Sequence, residues 1–331
     1  MVQEALTAFD DAALLAAARG GDEQAFERLL EPHRRPLHVH CYRLLGSLHD
    51  ADDALQETLV RAWRGLGGFE PRAPLRAWLY RIATNVSLTA IERRSRAPQL
   101  LGAAEAEVAG YFQPYPDRYL DTPEVAAEER ESLGLAFVSV MQLLPPRQRA
   151  VLVLRDVLGW SAREVAELLG DSVASVNSAL QRARQRLETE RRVGALARDH
   201  APASAEAESR VMRQFLEAWE AVDVDGIVQL LADDAVMTMP PEPMRLVGTE
   251  AIGEFFRTVP AEGALERLRL LPTRANGQPA YGAYLEDGEG VPRAYGVMVF
   301  AIGDESVVSI TGFAGYPELF PLLGLPLSLD D

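Results

Sequence analysis

The most informative stretch of this chain is Ser161–Leu187, which reads SAREVAELLGDSVASVNSALQRARQRL. Ser161 followed three residues later by Glu164 predicts a capping box at the start of a helix. Gly170 predicts the end of that helix, because glycine accepts the left-handed conformation of a helix C-terminus without steric cost. A polar pair, Asp171 and Ser172, then offers a cap for a second helix. The segment therefore predicts two helices joined by a tight turn.

The second of these helices has one apolar and one polar face. Its apolar stripe has helical spacing and consists of Val176, Leu180, Ala183 and Leu187. Ala166, Gly170 and Val176 stand at the spacing of a helix-turn-helix, in which a small residue permits close approach and a glycine makes the turn. The opposite face and its flanks present short polar, amide and arginine side chains, namely Ala174, Asn177, Ser178, Gln181, Arg182, Arg184 and Gln185. Such side chains suit the major groove of DNA; a plain helical hairpin with a solvated face is the alternative.

A second pair of helices is predicted near the N-terminus. The segment Leu48–Trp63 has an apolar stripe of Leu55, Leu59, Ala62 and Trp63. Its polar face carries Asp53, Gln56, Glu57, Arg61 and Arg64. After a loop with two prolines, residues 75–96 form a basic helix. Residues 72–96 contain six arginines against one acid, Glu92, which suits contact with a phosphate backbone.

Together these two segments resemble a known family. Residues 50–85, DADDALQETLVRAWRGLGGFEPRAPLRAWLYRIATN, and residues 144–184, LPPRQRAVLVLRDVLGWSAREVAELLGDSVASVNSALQRAR, resemble regions two and four of the extracytoplasmic-function (ECF) branch of sigma-70 factors. The resemblance covers Gln24–Arg96 and Glu131–Arg192. It implies an alternative transcription initiation factor that binds core RNA polymerase, through the β′ clamp coiled coil and the β flap, and promoter DNA.

The resemblance also implies roles for particular residues. The polar face of the first helix would dock on the β′ coiled coil, and its residues are Asp53, Gln56, Glu57 and Arg61. The following loop and helix would capture an unstacked base of the −10 element with Phe69, Arg72, Arg76 and Asn85. Extracting a base costs a few kcal/mol, which aromatic and arginine neighbours can offset. For Trp78, in the same helix, we expect a place in the core.

The helix-turn-helix would read the −35 element with Ser172, Ala174, Asn177, Ser178, Gln181, Arg182 and Arg184. Here the chain departs from the common family pattern, because Asn177 and Ala179 stand where arginines are frequent and Gln181 where an aromatic residue is frequent. The −35 preference of ordinary members does not transfer. The acidic, proline-bearing linker, Ala97–Arg130, resembles the segment that threads the polymerase channel; a solvated tether is the alternative.

The last third of the chain, Ala207–Asp331, is not part of a minimal sigma factor. It predicts a helix, a short second helix, a strand, a third helix from Ala251, and strands over 280–285, 293–302 and 307–313. Helices followed by a curved antiparallel sheet resemble the SnoaL-like cone. A candidate ligand pocket, or else plain core, is formed by Trp219, Met237, Met239, Phe255, Tyr281, Tyr295 and Met298. The chain resembles sigma factors in which such an extension regulates the attached sigma regions, and it looks similar to the SigG-like group among them. The segment YPELFPLLGLP near the end is a candidate docking tail.

The predicted fold class is thus multidomain: two all-α domains, sigma region 2 (11–96) and helix-turn-helix region 4 (131–192), a linker (97–130) and an α+β SnoaL-like cone (207–331). A net charge of −16 argues against nonspecific coating of nucleic acid. The single cysteine, Cys41, excludes a thiolate-rich metal site, suits a reducing cytoplasm and is expected in the core. We predict no catalytic residue, metal or cofactor, and no membrane segment. The alternatives are a ligand-responsive regulator that acts without polymerase and a cone-fold enzyme.

Overall fold

A computed structural model describes residues 12–70, 74–96, 112–120, 134–192, 203–242, 244–288 and 290–329. The chain forms two compact units. The first comprises residues 1–98 and 146–180, and the second comprises residues 99–145 and 181–331. A single helix, Val173–Arg192, contains the last of the three boundaries, between residues 180 and 181.

The first unit is all α-helical. Its helices are α1 (12–19), α2 (Glu23–Leu45), α3 (Leu48–Gly65), α4 (Leu75–Arg96), α6 (Pro146–Leu152), α7 (Ala162–Leu169) and the first part of α8 (Val173–Arg192). α2, α3 and α4 pack against one another around fully buried leucines, such as Leu30, Leu37 and Leu79. Cys41 lies in this core, and burial raises the pKa of its thiol to about 12, so it is an inert core residue.

The second unit contains the α+β domain, preceded by one helix of the predicted region 4, α5 (Leu135–Gln142). The α+β domain consists of α9 (Ala205–Glu220), α10 (Val224–Gln229), β1 (Leu231–Thr238), β2 (Arg245–Val247), α11 (Thr249–Thr258), β3 (Leu268–Ala275), β4 (Gln278–Glu286), β5 (Pro292–Gly303), β6 (Ser306–Ala314) and α12 (Leu319–Leu322). Its six strands form one sheet in the order β2-β1-β6-β5-β4-β3.

The sheet differs from the antiparallel one that the sequence predicted, because β1 pairs in parallel with β6. Parallel pairing needs a long crossover, and α11 with the intervening strands supplies it. Two strands were missed, β2 and β3. β3 holds Pro272, which ordinarily argues against a strand, but β3 is an edge strand, where a missing backbone donor is tolerated.

Aromatic side chains fill one face of the sheet beneath α9 and α11. Phe215 lies at their centre, with its ring centroid 4.8 Å from that of Phe300 and 6.0 Å from that of Trp219. The other face of the sheet is covered by the end of the chain, where Phe320 and Leu325 are buried. The predicted docking tail therefore packs on its own domain.

Part of the predicted linker is ordered on this second face. Phe112, Tyr115 and Leu120 are 7, 1 and 2% exposed, respectively, and Phe112 packs edge-to-face on Phe313. A fully solvated tether is therefore wrong for residues 112–120. The remainder of Ala97–Arg130 lies outside the described residues.

Candidate nucleic-acid interface

The helix-turn-helix has the caps that its sequence predicted. Ser161 Oγ accepts a hydrogen bond from the backbone N–H of Glu164, and the Glu164 carboxylate accepts one from the N–H of Ser161. These bonds lower the pKa of Glu164. Gly170 ends α7 with φ of 63°, and Ser172 Oγ caps α8 by accepting from the N–H of Ser175 at 3.1 Å. The predicted capping box, turn and second cap are confirmed.

The helix α8 presents a polar face to solvent. Val176, Leu180 and Ala183 are buried, whereas Leu187 is only half-buried. The seven residues predicted to read the −35 element are all exposed: Ser172, Ala174, Asn177, Ser178, Gln181, Arg182 and Arg184. Ala179 is 9% exposed and faces the core. The structure thus brings the predicted reading residues together on one accessible face of a single helix.

The predicted polymerase-docking residues lie on one exposed face of α3. Asp53, Gln56, Glu57 and Arg61 are exposed, and Arg61 Nε donates to the Glu57 carboxylate at 2.7 Å. The buried face is different from the predicted stripe. It consists of Leu48, Ala51, Ala54, Thr58 and Ala62, while Leu55, Leu59 and Trp63 are half-buried. Small side chains occupy the centre because α2 and α4 both pack closely on α3.

The residues predicted to capture a −10 base differ from one another in solvent exposure. Phe69 is 6% exposed, because its ring packs on Trp78 at 5.0 Å and the Arg19 guanidinium donates to its carbonyl oxygen. Arg76 is exposed, with its guanidinium 5.4 Å from the ring centre of Tyr80. Asn85 is exposed on α4, and Arg72 lies outside the described residues. Trp78 is half-buried against a cluster with Ala18 and Leu66, which confirms its expected core contact.

A cleft of about 500 Å³ lies beside Phe69 and Trp78. One wall comes from the α3–α4 loop and α4, and the other from Trp160 and α7. Its lining includes three residues that the sequence analysis did not single out, namely Arg81, Trp160 and Glu167. The Trp160 ring packs 5.6 Å from that of Tyr80. No local pattern could reveal this cleft, because it joins segments about 80 residues apart.

The α+β domain encloses a cavity of about 60 Å³. Six of the seven candidate pocket residues line it: Trp219, Met237, Met239, Phe255, Tyr295 and Met298. Tyr281 does not, because it packs in the aromatic core with its hydroxyl donating to the carbonyl oxygen of Met212 at 2.8 Å. Sites for drug-sized ligands begin near roughly 300 Å³, so this cavity holds only a few atoms.

The cavity offers little chemistry. Its described lining contains apolar side chains, backbone and the Tyr295 side chain, but no acid, histidine or arginine. Within the described residues, no group of three or more histidine, cysteine or acidic side chains is arranged to hold a metal ion. Among those same residues, no helix combines the length and apolarity needed to span a bilayer.

Comparisons with known proteins match three segments of the chain. Family models match sigma-70 region 2 over residues 29–97, sigma-70 region 4 over 135–187 and a SnoaL-like domain over 212–309. The ECF RNA polymerase sigma factor SigG of Mycobacterium tuberculosis is 41% identical over 99% of this chain and 92% of its own length. SigW of Bacillus subtilis is 32% identical, over 50% of this chain and 89% of its own length.

A solved structure shows the same fold. The M. tuberculosis ECF sigma factor SigJ superposes with a TM-score of 0.60 over 89% of this chain and 97% of its own length, at 24% identity. The chain belongs to the ECF sigma factors of the sigma-70 family that carry a SnoaL-like C-terminal domain.

Proposed function

We propose that this sigma factor docks on core RNA polymerase through the exposed face of α3 and reads promoters with α4 and α8. The observation that carries the proposal is the separation of faces in the described helices. Asp53, Gln56 and Glu57 face solvent on α3, although its other side is buried in the bundle. An exposed, charged face on a rigid helix suits the β′ clamp coiled coil, and region 4 would meet the β flap.

For the −10 element, the proposal assigns the base-contacting surface to Arg76, Asn85 and the cleft beside Trp78. Arg81 joins this set because it lines the cleft and a guanidinium can pair with phosphate or stack on a base. Phe69 is buried and would not contact DNA itself. Its ring packs on Trp78 and would hold that side chain in position.

For the −35 element, the proposed reading surface is the exposed face of α8. Asn177 can bind an adenine edge through two hydrogen bonds. Arg182 and Arg184 can contact guanine or phosphate. The cone is assigned a regulatory role in which it acts through the attached sigma regions and performs no catalysis, in keeping with a small cavity whose described lining has no acid, histidine or arginine.

Run-off transcription with purified core polymerase tests the docking surface. Promoters are first identified by sequencing transcripts after overexpression. Glu57→Arg is expected to reduce both core binding and run-off product at least about tenfold. In the proposed complex the acidic Glu57 meets a basic surface of the polymerase, and an arginine there would repel that surface. Glu27→Arg is the matched control, since Glu27 is exposed on α2. Equal effects of the two variants would remove the assignment, and a wild-type chain that neither binds core nor initiates would refute the function.

A further inference from the structure

The β3–β4 hairpin of the cone holds part of the linker between the two sigma regions. Its turn is a two-residue Asn276–Gly277 connection, with φ of 59° and 72°, between the paired residues Ala275 and Gln278. Asn-Gly suits such a turn because both positions need positive φ. The first residue of the turn is buried, since Asn276 is only 1% exposed.

Backbone-like hydrogen bonds fasten the linker to this turn. The N–H of Tyr115 donates to Asn276 Oδ1 at 2.7 Å, and the N–H of Asn276 donates to the carbonyl oxygen of Tyr115 at 2.7 Å. Pro116 forms an antiparallel bridge with Ala275. The Asn276 side chain therefore does more than form the turn, because it accepts a hydrogen bond from the buried N–H of Tyr115.

Charged groups extend the same contact. Asp117 accepts a hydrogen bond from the N–H of Gly277 at 2.7 Å and pairs with Arg274 at 3.3 Å. Arg274 also pairs with Glu208 at 2.5 Å. Burial lowers the pKa of Arg274, but hydrogen bonding and charge from Glu208 and Asp117 raise it overall.

The hairpin also contacts the first residue of α5, at the start of region 4. The N–H of Leu135, the first residue of α5, donates to Gln278 Oε1 at 2.8 Å, and Leu135 is 2% exposed. Residues 115–117 and 135 thus meet the same short turn.

We propose that this hairpin is a releasable binding site for the chain's own linker, and that core polymerase and the cone compete for residues 112–120. The resemblance places this linker in the polymerase channel. Residues whose backbone pairs with the hairpin cannot enter that channel while the pairing lasts, so binding to polymerase requires their release.

Hydrogen exchange on the full-length protein tests this inference, which rests on the proposed function. The measured amides are those of Tyr115, Leu135 and Gly277, with the amides of the central strand β5 as an internal reference. Exchange is followed in the free chain and in its complex with core polymerase. We expect slow exchange at the three amides in the free chain and at least about tenfold faster exchange in the complex, with β5 unchanged.

Two variants weaken the contact from opposite sides. Asn276→Gly keeps the turn, because glycine accepts φ of 59°, but removes the acceptor for Tyr115. Asp117→Ala removes the acceptor for Gly277 from the linker, so it leaves the cone sequence intact. Each is expected to speed exchange at residues 112–120 about fivefold, which corresponds to about 1 kcal/mol, and to raise affinity for core polymerase by up to the same factor. Glu262→Gly is the matched control, since exposed Glu262 also has φ of 59°.

Three results separate the possibilities. Residues 112–120 that remain protected in the polymerase complex would overturn the competition while leaving the sigma function intact. Variants that loosen the linker without any gain in core affinity would overturn it as well. A wild-type chain that fails to bind core polymerase would refute the sigma function and, with it, the exchange of the linker.

Discussion

Arg149, near the start of α6, donates a hydrogen bond from Nη1 to the carbonyl oxygen of Leu44 in the last turn of α2. Arg149 is 5% exposed, and burial together with the charge of Arg94 lowers its pKa to about 10. The group therefore stays charged at neutral pH. A cation at a helix C-terminus meets the unpaired carbonyl groups and the negative end of the helix dipole, so this contact fixes α6 to the bundle of region 2.

Replacing Arg149 by alanine should lower the free energy of unfolding of the helical unit by about 2 kcal/mol, because a charge-assisted hydrogen bond is lost and a buried carbonyl is left unpaired. Urea unfolding followed by circular dichroism measures the change. Arg147→Ala is the control, since Arg147 is exposed and contacts Asp171 at 3.2 Å; such a pair contributes about 0–1 kcal/mol. Equal losses from the two variants would contradict the assigned role of Arg149.

Local signals explain which parts of this fold could be predicted. Ser161, Glu164 and Gly170 act on their own neighbours, so the helix-turn-helix follows from sequence alone. The exposed faces of α3 and α8 follow similarly from helical spacing. β3 could not be predicted, because Pro272 opposes a strand unless its edge position is known. The hydrogen bond between Asn276 and Tyr115 joins residues 161 positions apart, and no local pattern encodes it.

Gly282 in β4 should resist any side chain. A Cβ there would lie 2.5 Å from Leu325 Cδ1 and 3.1 Å from Phe320 Cε1, both in the packed tail. Gly282→Ala is therefore expected to displace the tail and to cost about 1–3 kcal/mol, the usual range for overpacking. Limited proteolysis of the tail and urea unfolding measure the effect. Gly288→Ala is the control, because its Cβ would meet nothing within 4 Å; tail cleavage that is no faster in Gly282→Ala than in this control would contradict the packing argument.

His40 should make the helical unit sensitive to acid. Its ring Nε2 lies 2.8 Å from Thr84 Oγ1, and burial, assisted by the charge of Arg43, lowers its pKa from 6.5 to about 3. The unfolded chain therefore binds more protons than the folded chain between about pH 6.5 and pH 3. The contribution of His40 is fully present above pH 6.5 and is lost as the pH falls through this window.

Between pH 7.5 and pH 5.5, this single group should lower the free energy of unfolding by about 1.4 kcal/mol. His40→Gln should remove that part of the pH dependence, although it also lowers stability at both pH values because the core must be repacked. Urea titrations of wild type and variant at the two pH values give the difference. An identical pH dependence in both proteins would show that His40 does not titrate on unfolding.

Two substitutions on the exposed face of α8 should distinguish residues that read bases from residues that contact phosphates. Asn177→Ala is expected to relax discrimination at one base pair of the −35 element by about 1–3 kcal/mol, because an amide that pairs with a base edge contributes sequence preference. Arg182→Ala, as a phosphate contact, should instead weaken binding to all −35 sequences alike and reduce the slope of log affinity against log salt by about 1. Competition binding of holoenzyme to promoter variants at several salt concentrations measures both quantities.

The matched control for Arg182 is Arg213→Ala on the cone, where the exposed guanidinium pairs only loosely with Glu217 at 3.8 Å. It removes one positive charge from the chain just as Arg182→Ala does. If the salt slope changes equally in both variants, the effect comes from net charge alone. If Arg182→Ala alters base preference and leaves the salt slope unchanged, Arg182 reads a base edge directly, and guanine is then the expected partner because a guanidinium can bind its O6 and N7 together.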